Sequence, residues 1–138
     1  MIEIVIVTHS QLGAALIEAA AFILGRKPEA TVSVSIDLNE NAEKLRGQIE
    51  RAIKKVRQEK GVLILTDMFG GTPSNLSYSF LEEGQIEVIS GVNLPILIKA
   101  DSDRQEKELS QLATALEAFG KRSISLASGI LKGNKRSQ

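Results

Sequence analysis

Two stretches of this 138-residue chain, IEIVIVT (Ile2 to Thr8) and GVLILTD (Gly61 to Asp67), constrain its fold more than anything else in it. Each has the length of a strand, is rich in β-branched residues and is almost continuously apolar. A strand with one wet face alternates apolar and polar side chains. A run without alternation is dry on both faces, which is the pattern of a parallel sheet covered by helices on both sides.

The segments between these runs supply the covering layers. LGAALIEAAAFILG (Leu12 to Gly25) carries Leu12, Leu16, Ala19, Ala20 and Ile23 at helical spacing, with Gly25 as its stop and Pro28 just beyond. TVSVSI (Thr31 to Ile36) alternates with period two and reads as an edge strand. NAEKLRGQIERAIKKV follows as an amphipathic helix, capped by Asn39 or Asn41, with Ala42, Leu45, Ile49, Ala52, Ile53 and Val56 on one face. After the third strand, TPSNLSYSFLEE starts a helix with Thr72 as N-cap and Pro73 at its first position. IEVIS (Ile86 to Ser90) is a fourth strand, followed by a turn and a short apolar segment. DRQEKELSQLATALEAFG forms another helix, with Leu109, Leu112, Leu116 and Phe119 inward, and SISLAS (Ser123 to Ser128) a last short strand. The expected fold is an α/β, three-layer doubly wound sandwich on a mostly parallel five-stranded sheet of order 2-1-3-4-5. Residues 1–130 are expected to form a single domain and 131–138 a flexible tail.

In that order strands 1 and 3 are neighbours, and a ligand crevice opens outside their carboxyl ends. His9, the sole histidine, ends strand 1, and Asp67 ends strand 3. A carboxylate that accepts from Nδ1–H fixes the imidazole tautomer, leaves a lone pair on Nε2 and stabilises the ring when Nε2 attacks an electrophile. DMFGGTPSN supplies the place for that electrophile. Gly70 and Gly71 permit a tight backbone path whose N–H groups can cradle an anion, Thr72 adds a hydroxyl, and a helix begins at Pro73. No lysine follows the glycines, so this is no Walker A loop. Each feature alone has an ordinary structural use; their convergence at one switch point favours a phosphoryl cradle beside a nucleophilic histidine.

Composition narrows the alternatives. Lys plus Arg and Asp plus Glu number 17 each, which argues against a general nucleic-acid-binding surface. With no cysteine and one histidine, thiolate catalysis, Cys-based zinc and a His-rich metal site within one chain are excluded. No apolar run is long enough to span a bilayer, and Glu3 stands where a basic signal region would be, so a cytoplasmic location is the default expectation.

IVIVTHSQLG, VLILTDMFGGTPSN and ISGVNLP together closely resemble the IIA domain of the mannose family of the bacterial phosphoenolpyruvate:sugar phosphotransferase system, in that family's order and spacing over nearly the whole chain. The resemblance implies that His9 is phosphorylated, that Asp67 orients it, and that Gly70, Gly71 and Thr72 bind the phosphoryl group. Ser10, Met68, Phe69 and Asn93 would stand at the periphery of the site. It implies a phosphotransferase component with no metal or other cofactor, which accepts the group from phospho-HPr and passes it to a IIB protein on a separate chain, with an indirect link to the membrane through permease subunits. It further implies a homodimer in which the SISLAS strand is antiparallel and open to exchange between subunits. One residue departs from the pattern: the family usually places glycine after the histidine, and this chain has Ser10. Histidine followed by serine also occurs in the related phosphotransfer subunit of dihydroxyacetone kinase, which lacks an FGGTP loop of this kind.

The competing readings are a regulatory phosphohistidine module without sugar transport, a receiver-like module phosphorylated on Asp67, and a phospholigand-binding module. A receiver needs an acidic pair after strand 1 and a lysine ending strand 5; this chain has Thr8-His9-Ser10 and SISLAS there.

Overall fold

A computed structural model describes residues 1–56 and 59–132. The elements run β1 (Glu3–His9), α1 (Leu12–Leu24), β2 (Thr31–Ile36), α2 (Ala42–Val56), β3 (Val62–Thr66), α3 (Thr72–Tyr78), β4 (Ile86–Ser90), α4 (Leu94–Asp103), α5 (Leu109–Arg122) and α6 (Ala127–Leu131). The four strands pair in the order β2-β1-β3-β4, all parallel.

The central strands divide their side chains between two cores. Ile4, Ile6, Leu63 and Leu65 pack on one face with Leu97 and Ala100 of α4 and Leu109, Leu112 and Leu116 of α5. Val5, Val7, Val62 and Ile64 pack on the other with Leu45, Ile49 and Ile53 of α2. All eight strand residues are fully buried, each worth about 1.5–3 kcal/mol in apolar transfer, which is why neither run could alternate. β2 alternates because it is an edge: Val34 and Ile36 are buried while Ser33 and Ser35 are half-exposed.

Three expectations are corrected. The fifth strand over Ser123–Ser128 is not in the sheet: residues 124–126 are unpaired, and Ala127–Leu131 is helical. Period-two alternation can name a strand, but only an edge that hydrogen-bonds to it can make one. Beyond a single antiparallel bridge from Glu82 to Ile86 at its start, no segment among the described residues pairs with the outer edge of β4. The helix beginning at Thr72 is capped by extended Gly71, not by a Thr72 side-chain bond, so Thr72 itself is its first residue. The stretch expected as one helix from Asp103 splits, α4 ending at Asp103 and α5 starting at Leu109 behind a Glu108–Gln111 capping box. The tail expected over 131–138 falls largely outside the described residues. As expected, Gly25 closes α1 with φ 75°, and Asn41 accepts from Lys44 N–H (2.8 Å) to cap α2.

At the amino end of the sheet, buried Arg104 ties distant segments together. Its guanidinium donates to the Glu29 carbonyl (2.6 Å), to Thr31 Oγ1 (3.3 Å) and to Asp101 Oδ1 (3.1 Å). Glu3 is fully buried beside it, and no donor reaches either of its carboxylate oxygens among the described residues. Burial pushes the Glu3 carboxyl above its usual 4.5, against the pull of the chain's terminal ammonium and Arg104.

Candidate functional site

The site is assembled at the opposite, carboxyl end of the sheet. β1 and β3 are neighbours, with Val7 opposite Thr66, so the next residues along each strand converge. His9 and Asp67, 58 residues apart in sequence, meet there in two bonds to one oxygen: Asp67 Oδ2 accepts from the His9 backbone N–H at 2.8 Å and lies 2.8 Å from His9 Nδ1. Asp67 Oδ1 accepts from Met68 N–H at 2.9 Å. The aspartate side chain is 11% exposed and the histidine 35%, so the carboxylate is shielded while part of the ring faces solvent.

Burial alone would raise the Asp67 carboxyl. The His9 backbone and ring hydrogen bonds, the His9 charge and the Met68 N–H outweigh it and hold the group below its usual 3.8. The carboxylate is therefore ionised at neutral pH and can only accept. Nδ1 must then carry the hydrogen that it shares with the carboxylate, which in the neutral tautomer leaves the lone pair on Nε2.

The loop after Asp67 closes over the ring. Gly70 has φ 83°, a left-handed conformation that favours glycine. A Cβ built on Gly71 would sit 3.1 Å from His9 Cε1 and 3.2 Å from Met68 Cγ, tight enough that a side chain there would press the imidazole or Met68 aside by a few tenths of an ångström. The N–H groups of Phe69, Gly70, Gly71 and Thr72 find no acceptor among the described residues. Because α3 is only seven residues long, these individual amides, and not a helix macrodipole, are what the loop offers an anion.

The peripheral residues fall into different places. Ser10 is exposed with φ 51°, which explains why a glycine suits the position after the histidine. Met68 and Phe69 are 55% and 79% exposed, at the same end of the sheet as His9. Asn93 Oδ1 accepts from Ile96 N–H at 2.9 Å and caps α4, so its carbonyl is committed to the helix.

Four hydroxyls beneath the loop carried no signal in the sequence reading. Thr66 and Ser90 are register partners at the ends of β3 and β4. Ser74 and Tyr78, one turn apart on α3, lie against them. Thr66 Oγ1 donates to Ser90 Oγ (2.9 Å), Ser90 Oγ contacts Ser74 Oγ (2.9 Å) and Tyr78 Oη (2.7 Å), and Ser74 Oγ donates to the Met68 carbonyl. The available clue was that two adjacent apolar strands both end in a hydroxyl residue, followed by Ser-x-x-x-Tyr on a helix.

Comparison with known proteins decides the lineage. Residues 3–117 match the family model for the PTS system fructose IIA component, EIIA-man. The chain belongs to this family. Among EIIA-man relatives, it is 34% identical to the PTS system fructose-specific EIIA component of Bacillus subtilis, over 93% of this chain and 88% of that protein. It is 36% identical to the PTS system mannose-specific EIIAB component of Escherichia coli over 81% of this chain, which spans 36% of that longer protein. The crystal structure of phosphotransferase system component EIIA from Streptococcus agalactiae superposes with TM-score 0.82 at 27% identity, covering 93% of this chain and 98% of that one. The mannose/sorbose specific IIA subunit from Enterococcus faecalis shares the fold (TM-score 0.81) at 19% identity, over 91% and 93% of the two chains. This EIIA-man chain is thus a phosphotransferase-system component of the mannose type, and no helix among its described residues is long and apolar enough to cross a membrane.

Proposed function

We propose that this chain is a phosphohistidine carrier, taking a phosphoryl group onto His9 Nε2 from phospho-HPr and handing it to a IIB protein. The observation that carries the reading is the 2.8 Å contact between His9 Nδ1 and Asp67 Oδ2, made beside a glycine loop in which a Cβ at Gly71 would crowd the ring at Cε1. In the transfer, the bond from phosphorus to the donor's imidazole nitrogen breaks as the bond to His9 Nε2 forms. The donor ring keeps the electron pair of the broken bond. The His9 ring gains positive character, which the Asp67 carboxylate offsets while Nδ1 keeps its hydrogen. The free amides of Phe69 to Thr72 meet the phosphoryl oxygens, and their fixed directions need no reorganisation during transfer. Onward transfer to IIB reverses these steps.

Exposed Leu12, Leu38, Met68 and Phe69 stand at the same end of the sheet as His9 and suit a partner protein's docking face. The open edge of β4 and a groove of about 570 Å³ between β4 and α5, with exposed Ile124 and Leu126 nearby, support a homodimer in which the Ser123–Ser128 segment of a second copy pairs with that edge.

Intact-mass measurement after incubation with phosphoenolpyruvate, enzyme I and HPr tests the main reading. One acid-labile phosphoryl adduct is expected, absent from His9→Ala. An adduct that survives the substitution, or a wild-type protein that takes none, overturns it.

A further inference from the structure

We propose that Ser74 is a positioning residue for phosphoryl transfer: its hydroxyl, fed by Ser90, Thr66 and Tyr78, turns the Met68–Phe69 peptide so that an amide faces the transferred group. The proposal rests on the phosphocarrier reading of the site and adds a residue to it that touches neither His9 nor Asp67.

The argument begins with hydrogen inventory. A carbonyl only accepts, so the single hydroxyl hydrogen of Ser74 is committed to Met68 O. Ser74 must then accept from its neighbours. Thr66 Oγ1 lies 2.5 Å from Ser74 Oγ and 2.9 Å from Ser90 Oγ, Ser90 Oγ lies 2.9 Å from Ser74 Oγ, and Tyr78 Oη lies 2.7 Å from Ser90 Oγ; Ser74 receives from Thr66 or from Ser90 and in either case passes its own hydrogen to Met68. With Thr66 donating to Ser90, the hydroxyls of Tyr78, Ser90 and Ser74 run head to tail toward the Met68 carbonyl, and such chains strengthen each member in turn.

The consequence lies in the loop. Ser74 and Thr66 are fully buried, at the ends of rigid elements, so the relay has a fixed base. In a planar trans peptide the C=O of one residue and the N–H of the next point in opposite directions. Holding Met68 C=O down into the hydroxyl cluster therefore turns Phe69 N–H up and away from the sheet, and this amide has no acceptor among the described residues. Met68 is also held by its N–H to Asp67 Oδ1. One residue is thus pinned at both ends, by the carboxylate that orients His9 and by the relay that orients the cradle. The loop's other side-chain contacts include a tilted Phe69–Tyr78 ring pair and a long Asn75 Nδ2 donation to the Gly70 carbonyl (3.4 Å), and neither sets the Met68–Phe69 peptide.

Ser74→Ala removes the pin and leaves the Met68 carbonyl without its buried donor. In the unphosphorylated protein, the amide resonances of Phe69 and Gly70 are expected to shift and their hydrogen exchange to quicken. Phosphoryl uptake from phospho-HPr and return to it should both slow on the order of tenfold, the rate equivalent of one hydrogen bond, with KM for phospho-HPr held within twofold. Ser74→Thr, which restores a hydroxyl on the same carbon, should recover the wild-type amide positions and rate. Ser90→Ala, which cuts the relay one step back, should move the same amides less; it serves as the decisive variant should Ser74→Ala fail to fold. Unmoved Phe69 and Gly70 amides in the folded variant overturn the proposal, as does a transfer rate within twofold of wild type. The amide readout needs no phosphoryl donor, so it separates failure of this proposal from failure of the carrier reading, which shows as a wild-type protein that accepts no phosphoryl group.

Discussion

Asp67→Asn is the sharpest perturbation of this site, because the substitution preserves shape and still cannot fit. Both carboxylate oxygens face backbone N–H groups: Oδ2 accepts from His9 N–H at 2.8 Å and Oδ1 from Met68 N–H at 2.9 Å. An asparagine has one oxygen. Whichever way its amide is turned, an NH₂ must confront one of those N–H donors, so one bond is lost and replaced by a repulsive contact. If the NH₂ takes the Oδ2 place, it also donates to Nδ1, forcing the hydrogen onto Nε2 and removing the nucleophilic lone pair. If the oxygen stays there, the Nδ1 bond survives without its charge. A hydrogen bond to an ionised group is worth about 1.5–3 kcal/mol, and the loss falls on a step in which the ring becomes more positive. A barrier raised by about 2–3 kcal/mol slows transfer about 30- to 150-fold. The assay is rapid-quench measurement of phosphoryl uptake from phospho-HPr and of its return, with the fold checked by circular dichroism. Both directions should slow together, since the carboxylate serves the transition state common to them. Rates within about threefold of wild type, in a folded variant, refute the assigned role. Stability supplies an independent check with a defined sign. A carboxyl held below its usual 3.8 in the folded protein contributes stability that is present above that value and is lost as pH falls through the folded pKa. The melting-temperature deficit of Asp67→Asn should therefore be full at pH 7 and shrink below about pH 3.8.

Two further outcomes follow from the backbone and the far end of the sheet. Ser10→Gly removes a side chain from a residue at φ 51° and should stabilise the protein by about 0.5–1 kcal/mol in urea unfolding; a loss of stability would show that the Ser10 side chain makes a compensating contact. Glu3→Gln should melt higher than wild type at pH 7. Its carboxyl is raised above 4.5 by burial, so the cost of the ionised form sets in as pH rises through that value toward the folded pKa; the advantage should vanish below about pH 4.5, and a pH-independent difference would assign the effect to packing instead.

What could be read from the sequence was whatever depends on local pattern. Ile2 to Thr8 and Gly61 to Asp67 named the two central strands because burial on both faces leaves no room for alternation, and their position in the sheet then placed His9 against Asp67. The Ser123–Ser128 segment, expected as a last strand, is not in the sheet of the single chain, because strand pairing is decided by which edge a segment meets and not by its own residues. The break at Arg104 was hidden because its side chain is spent on Glu29, Thr31 and Asp101, a tertiary demand that helical periodicity does not carry. The hydroxyls of Thr66, Ser74, Tyr78 and Ser90 were illegible for a related reason. Serine and threonine at strand and helix ends are ordinary, and only the β3–β4 register brings these four together.

The strand order has a consequence for how the chain is made. β1 is central, paired on one side with β2 and on the other with β3, and the two halves of the site are separated by 58 residues. At roughly 5–20 residues per second of synthesis, several seconds pass between the emergence of His9 and that of Asp67. Through that interval β1 has one edge without its eventual neighbour, and that edge belongs to a strand whose residues Ile4 to Val7 are all apolar. A nascent β1–β2 pair is the species on which cellular holdases would act. Ribosome-arrested chains stopped just short of β3 should bind them, and chains extended past Thr66 should let them go.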